Sequence, residues 1–532
     1  MRQLSQQKLI VFTSIFLVVF DNYAFFSKTL KVYPFSLGNI GFLLSLVVVL
    51  TSLIVFLFAL VSSKYTTKPI IIIVLLISSF TSYFMNSYHV VINDEMIRNI
   101  IQTNLNESMD LLSVKLVLYF LFLGALPSYI VYRTNIQYKG FKNEMWSKIK
   151  VMGISLLLIL VCIFLFSKHY TSFFREHKPL RYSTNPIYWV YSTGVYLHQS
   201  FNSGPVIIKP IGTDAKIIET DSNEKHKELV IMVVGEAARA DHFSLNGYQR
   251  ETNPLLKKED IINFPNMYSC GTSTAESVPC MFSVFDKADY SYKKSISTEN
   301  VLDVLNHTGE VDILWRDNNS DSKGVALRVP YEDYKIPKNN SICENGECRD
   351  EGMLIGLDQY IAKHKGKDIL IILHQMGNHG PAYYKRYPKE FEKFIPVCKT
   401  NELGECSKKE ITNAYDNAIL YTDYFLSKVI KLLKKYDNSY NTAMIYMSDH
   451  GESLGEHGVY LHGLPYFMAP EAQTHIASLM WFGKNMKKEI NIDKIKSRKN
   501  KKYSQDNLFH SLLGIFEVKT DIYKQKEDIF HE

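Results

Sequence analysis

The chain has 532 residues, 46% of them hydrophobic, and a formal net charge of +6. That length allows more than one domain, and a charge so modest, with no basic stripe interleaved with exposed aromatics, argues against a nucleic-acid binder. The apolar residues crowd into the first 170 positions, which excludes a wholly soluble protein.

Five apolar stretches, residues 9–27, 40–62, 69–85, 114–132 and 151–167, approach the length needed to cross a hydrocarbon core. The first has no small-residue cleavage site and further spans follow it, so it reads as a membrane helix and not a cleaved signal peptide. Basic residues gather at Arg2 and Lys8, at Lys64 and Lys68, and at Arg133, Lys139, Lys142, Lys148 and Lys150. These loops belong on the cytoplasmic side, and an odd number of spans puts residues 171–532 outside. The outward loop between spans three and four carries Asn99, Thr103 and Glu107. Their spacing of four sets them on one helical face, which either binds a lipid headgroup or is the solvated side of an interfacial helix. Residues 171–227 read as interfacial helix and linker, with Tyr188, Trp189, Tyr191 and Tyr196 suited to a membrane boundary.

Residues 228–532 read as a soluble domain. Three continuous apolar runs, 228–236, 368–374 and 442–450, suit strands of a parallel sheet covered on both faces. Helical patterns lie between them, including 411–435, so the domain is expected to be α/β. Glu236, His374 with His379, and Asp449 with His450 fall at or just beyond the ends of these runs, where sites form in open α/β sheets. Between the first two runs, Cys270 and Cys280 bracket small hydroxyl residues, and a helical pattern begins just after Thr274. A first helical turn offers unpaired N–H groups and a positive dipole end to a phosphate; the alternative is a capped surface turn.

Glu236 and Asp449 supply charge and His450 supplies nitrogen, a mixed set that zinc accepts while leaving a position for a nucleophile. The ion would activate the Thr274 hydroxyl. His379 and His462 are candidates to bind phosphate, to serve as acid or base, or to hold a second metal, and Lys323 can neutralise a phosphate oxygen. His374 and His457 read as supporting residues. Of the seven cysteines, Cys162 lies in an apolar run. The others form close pairs, Cys270/Cys280, Cys343/Cys348 and Cys398/Cys406; local pairing is the simplest arrangement and implies an oxidising compartment.

Four stretches together, Val234-Gly235-Glu236-Ala237-Ala238-Arg239-Ala240-Asp241-His242, Cys270-Gly271-Thr272-Ser273-Thr274-Ala275, Asn378-His379-Gly380-Pro381 and the run from Ser448 to Gly458, resemble the motifs of the phosphoethanolamine transferases. These are inner-membrane enzymes that modify lipid A in Gram-negative bacteria and include the mobile colistin-resistance enzymes. The resemblance covers nearly the whole chain. It implies a five-helix membrane domain over residues 1–170, a connecting region over 171–227, and a periplasmic catalytic domain of alkaline-phosphatase/sulfatase-like type over 228–532. It implies Thr274 as nucleophile, with Glu236, Asp449, His450 and Thr274 itself on zinc. His379, His462 and Lys323 take substrate or second-metal positions, and Asn99, Thr103 and Glu107 take a headgroup-binding set. The three local cystines also match. One zinc ion is expected, with room for a second, and a monomer is expected. The implied donor is phosphatidylethanolamine and the implied acceptor is lipid A, with a core sugar, a glycan or a protein hydroxyl also open; modified lipid A would resist polymyxin. The runner-up is a metal-dependent phosphatase or sulfatase on the same fold; a sulfatase would need a Cys or Ser in an x-Pro-x-Arg context, and here Gly-Thr-Ser-Thr follows Cys270. A glycerol-phosphate polymerase of the lipoteichoic type shares the threonine and five spans, but the cystine pairs and the Asn99 face speak against it. A membrane-anchored binding protein with a structural metal would close its site with four protein ligands, against a reactive hydroxyl in the sphere.

Overall fold

Runs of aliphatic residues buried on alternating sides explain the central architecture. In the computed structural model, which describes residues 3–103, 105–201, 207–218, 226–344 and 346–531 without the side chains of 105–107, strand β1 spans Lys227–Gly235. Its Val230, Met232 and Val234 enter one hydrophobic cluster, and Leu229, Ile231 and Val233 enter another. A strand presents successive side chains to opposite faces, so both faces of the sheet are covered. Each of these six residues is fully buried, and each such burial stabilises by about 1.5–3 kcal/mol.

The sheet has seven strands. After β1 come β2 (Ile261–Asn263), β3 (Val311–Asp317), β4 (Tyr331–Asp333), β5 (Asp368–His374), β6 (Tyr440–Ser448) and β7 (Ser478–Phe482). Their spatial order is β2-β7-β6-β1-β5-β3-β4. The five strands from β6 to β4 are parallel, with Ser448 opposite Gly235 and His374 opposite both Val234 and Asp317. Strand β7 pairs antiparallel with β6 and β2. The parallel register brings the carboxyl ends of β1, β3, β5 and β6 to one edge.

The chain divides into two compact units, Met1–Arg98 with Leu112–Asn202, and Asn99–Leu111 with Ser203–Glu532. In the first unit, α1 (Gln6–Phe20) and α2 (Tyr23–Val32) form a pair bent by 57°, and α3 (Ile40–Val61) and α4 (Thr67–Ser87) follow. Helix α5 (Asp94–Gln102) and helix α6 (Leu105–Asp110) come next in the chain, then α7 (Val114–Arg133) and α8 (Phe141–Leu165). Helices α3, α4, α7 and α8 are long and apolar enough to cross a membrane, and the bent pair makes a fifth span if counted as one. The five expected spans are therefore accounted for, but the first is broken and the last begins ten residues earlier than its apolar run. The break has a cause. Asn22 Nδ2 donates to the carbonyls of Leu17 and Asn185, at 2.9 and 2.6 Å, and a side chain inserted into the backbone ladder kinks a helix. Helix α9 (Ser167–Arg175) overlaps the start of the region 171–227 expected to hold interfacial helix and linker, and α10 (Ile187–Phe201) lies within it.

In the second unit, α11 (Thr274–Met281), α12 (Val301–His307) and α15 (Asn507–Ile515) cover one face of the sheet, while α13 (Leu357–Lys363) and α14 (Lys408–Lys434) cover the other. Helix α14 starts at a capping box in which Ser407 and Glu410 satisfy each other's backbone N–H groups. Disulfides join Cys270–Cys280, Cys343–Cys348 and Cys398–Cys406.

Candidate active site

Strand β1 delivers Glu236, and β6 delivers Asp449 and His450, to adjacent points on the sheet edge. The backbone ties the two ends together, since Asp449 N donates to Gly235 O at 2.8 Å. Thr274 opens α11, behind an N-cap, Ser273, whose side chain makes no cap bond. All four residues are buried, Thr274 the least so at 6% exposure.

Their polar atoms converge. Thr274 Oγ1 donates to Glu236 Oε2 at 3.0 Å and lies 3.4 Å from His450 Nε2. Nε2 is also 3.3 Å from Glu236 Oε1 and 3.4 Å from Asp449 Oδ2. The nitrogen facing these oxygens carries the lone pair, because His450 Nδ1 sits 2.8 Å from the carbonyl of Gly451, which can only accept. Glu236 Oε1 and Asp449 Oδ2 are buried without a hydrogen-bond partner. Burial and then the neighbouring Asp449 carboxylate push Glu236 well above the ordinary carboxylate range. Unpartnered anionic oxygens and an imidazole lone pair packed together fit a divalent cation, whose charge removes the conflict.

His462 joins this group. One ligand atom each from Glu236, His450 and His462 lie within 4.8 Å of one another, and the His450 and His462 rings are 4.2 Å apart. Glu452 Oε2 accepts from His462 Nδ1 at 2.7 Å, and Tyr383 OH donates to Glu452 Oε1 at 2.6 Å. His379 stands 5.9 Å from His462, ring to ring. Burial first, then Arg386, His462 and His450, hold its imidazole well below the usual range, so it is neutral at pH 7.

The turn that carries His379 is shaped by Asp350, whose carboxylate accepts from the amides of Met376 and Gly377 at 2.8 and 3.1 Å. Gly377 has a φ of +48°, and a Cβ there would come 3.0 Å from the carbonyl oxygen of Glu236; glycine is required on both counts.

Asn319 Nδ2 donates to Glu236 Oε2 at 2.8 Å and to Gln375 O at 2.7 Å, leaving Oε1 without a hydrogen-bond partner. Gln505 Oε1 accepts from Cys270 N at 2.7 Å, while its amide nitrogen donates to the carbonyls of Ser448 and Asp449. That side chain ties the threonine loop to the end of β6. Neither residue stood out in the sequence, because each earns its role from a partner remote in the chain.

Lys323 is buried, with Nζ 3.3 Å from the carbonyl of Gln102. It thus meets the segment that carries Asn99 and Thr103, where Thr103 Oγ1 donates to Asn99 O at 2.7 Å. The side chain of Glu107 lies outside the described residues. His374 is fully buried, and its Nδ1 is 2.9 Å from Asp317 Oδ2, which also accepts from Trp315 Nε1. His457 is exposed in a tight turn.

A mostly parallel sheet with a threonine-opened helix and a carboxylate–imidazole group at its strand ends fits an α/β domain of the sulfatase type. The profile of the Sulfatase family matches residues 228–518, and that described as Phosphoethanolamine transferase EptA/EptB matches residues 50–201. The chain belongs to the phosphoethanolamine transferases. It is 44% identical to Phosphatidylethanolamine transferase Mcr-2 of Escherichia coli over 95% of this chain and 94% of that protein. It is 42% identical to Phosphatidylethanolamine transferase Mcr-1 of the same organism over 99% and 97%. The structure of the integral membrane protein lipooligosaccharide phosphoethanolamine transferase A from Neisseria meningitidis superposes with a TM-score of 0.95, at 35% identity, over 100% of this chain and 99% of that one.

Proposed function

We propose that this membrane-embedded transferase moves phosphoethanolamine from phosphatidylethanolamine to lipid A by way of an ester on Thr274. The observation that carries the reading is the meeting of Glu236 Oε2 and His450 Nε2 at Thr274 Oγ1, beside two unpartnered carboxylate oxygens. The relatives' names, which specify phosphatidylethanolamine and lipooligosaccharide, support the donor and the acceptor class.

Glu236, Asp449, His450 and Thr274 would hold zinc, a set of oxygen and nitrogen donors that suits it, with His462 and His379 open to a second ion. The metal supplies Lewis acidity to the Thr274 hydroxyl and to a phosphoryl oxygen. In the first half, Thr274 Oγ1 bonds to the phosphorus of the donor and the bond from phosphorus to the diacylglycerol oxygen breaks. The threonine proton leaves with diacylglycerol as its hydroxyl. In the second half, a phosphate or sugar oxygen of lipid A bonds to the same phosphorus, and Thr274 leaves and recovers a proton. His379, His462 and Lys323 hold phosphoryl oxygens, with neutral His379 acting as a hydrogen-bond partner and Lys323 as a charge. Asn319 keeps Glu236 turned with Oε2 toward the threonine. Burial of Thr274 limits water at the ester and favours transfer over hydrolysis. The face of Asn99, Thr103 and Glu107 takes the donor headgroup.

The catalytic unit faces the periplasm and the five spans lie in the inner membrane, with the Lys/Arg-rich loops in the cytoplasm. The added ammonium offsets phosphate charge on lipid A, so cationic peptides such as polymyxin bind the surface less. The test uses the full-length protein in detergent with phosphatidylethanolamine labelled in its ethanolamine. Label should pass to lipid A with the wild type and not with Thr274→Ala. Release of free phosphoethanolamine without labelled lipid A, or wild-type transfer by the variant, would refute the proposal.

A further inference from the structure

The segment Asn99–Leu111 belongs to the same compact unit as Ser203–Glu532, although in the chain it separates two membrane helices. Among the described residues, it is fastened to that unit near both ends. At its start, the Gln102 carbonyl accepts from Lys323 Nζ, and Gln102 Nε2 donates to Tyr292 OH at 3.0 Å. At its end, Asp110 Oδ2 accepts from Arg386 Nη2 at 2.6 Å, Oδ1 accepts from Lys385 Nζ, and the Asp110 carbonyl accepts from Asn401 Nδ2 at 2.7 Å.

Arg386 is the hub of the second point. Its side chain is 2% exposed. Nη1 donates to Glu347 Oε2 at 2.6 Å, beside the Cys343–Cys348 bridge, and Nε donates to the carbonyl of His379 at 2.8 Å. One planar guanidinium therefore holds the segment, the bridged hairpin and the backbone of a residue in the candidate site, and its fixed fork makes the three directions interdependent. Burial works against the charged form of Asp110, but Arg386 and Lys385 outweigh it and keep the carboxyl below its ordinary range.

We infer that Asp110 is a positioning residue, which through Arg386 sets the donor-binding segment in register with His379 and so with Thr274. The inference rests on the reading that the Asn99 face takes the donor headgroup. It follows from connectivity: Asp110 and His379 share one guanidinium, and the face begins at Asn99, earlier in the same short segment. Loss of the Asp110 charge leaves Arg386 paired with Glu347, so the unit keeps a compensated buried cation and its fold.

The experiment compares full-length wild type, Asp110→Asn and Asp110→Glu in detergent, with a short-chain phosphatidylethanolamine as donor. Turnover constants and amide hydrogen exchange are both measured. Asp110→Asn should raise KM for the donor and lower kcat/KM by about ten- to a hundred-fold, as expected when a reacting group is held loosely. Asp110→Glu should recover part of the loss. Exchange should rise in Asp110→Asn both over residues 99–111 and over 376–381, with the melting temperature little changed; a merely structural role would not link those two segments. Wild-type turnover together with unaltered KM and unaltered exchange at 376–381 in Asp110→Asn would overturn the coupling alone. Absence of wild-type turnover would overturn the reading of the site and this inference with it.

Discussion

Hydrogen bonds at Nδ1 set which nitrogen of His450 and of His462 is left for the site. For His450 the partner is a carbonyl, and for His462 it is the buried carboxylate of Glu452. A carboxylate behind an imidazole fixes its tautomer and raises its basicity, and loss of such a partner commonly costs about 10–100-fold. Glu452→Ala is therefore expected to lower turnover by about 10–100-fold, while Tyr383→Phe, which keeps the carboxylate, should cost much less. Steady-state transfer rates with parallel zinc analysis check this; equal effects of the two changes would show that Glu452 acts only as packing. The motifs displayed Glu236, Thr274, Asp449 and His450 because each sits at or beside a strand end or helix start, where periodicity changes. Asn319, Gln505 and Arg386 gave no such signal. Gln505 bonds to Cys270 across 235 positions, and no local pattern records a partner that far away.

At the scale of elements, the apolar runs foretold β1, β5 and β6 within two residues, because strands buried on both faces need continuous hydrophobicity. Strand β3 was not foretold; Asp312, Arg316 and Asp317 interrupt its apolar pattern. Arg316 satisfies itself on Glu332 and on the carbonyls of Met353 and Ile355, a compensation visible only in three dimensions. The bend between α1 and α2 had a visible mark, Asp21-Asn22 inside an apolar run, but its depth depends on Asn185. The loop that leads into α11 is closed by Cys270–Cys280, ten positions apart. By loop entropy that bridge contributes about 3 kcal/mol. The double change Cys270→Ser/Cys280→Ser should lower the melting temperature by several degrees yet leave the sheet folded, and should reduce transfer by a larger factor than the lost stability explains. Unchanged turnover in the double variant would reduce the bridge to a staple without a role in placing Thr274.

The whole molecule joins two solvents in one chain. Apolar helices commit the first unit to the membrane, and a sheet covered on both faces builds the second around a polar edge. The proposed lipid donor calls for the one, and the proposed headgroup chemistry calls for the other. The apolar helices of the first unit and the buried strands of the second were legible in the sequence, since each obeys a simple rule of burial. The assignment of residues 99–111 to the catalytic unit could not be read, because it depends on Lys323, Lys385 and Arg386 meeting a short segment between spans. The central claim is that Thr274 carries the headgroup before the acceptor does. It is tested most directly by incubating the purified full-length protein with phosphatidylethanolamine in the absence of lipid A, quenching in acid and mapping the modified peptide by mass spectrometry. The account predicts one phosphoethanolamine on Thr274, discharged when lipid A is added before the quench. Modification of another residue, or turnover with Thr274 never modified, would contradict it.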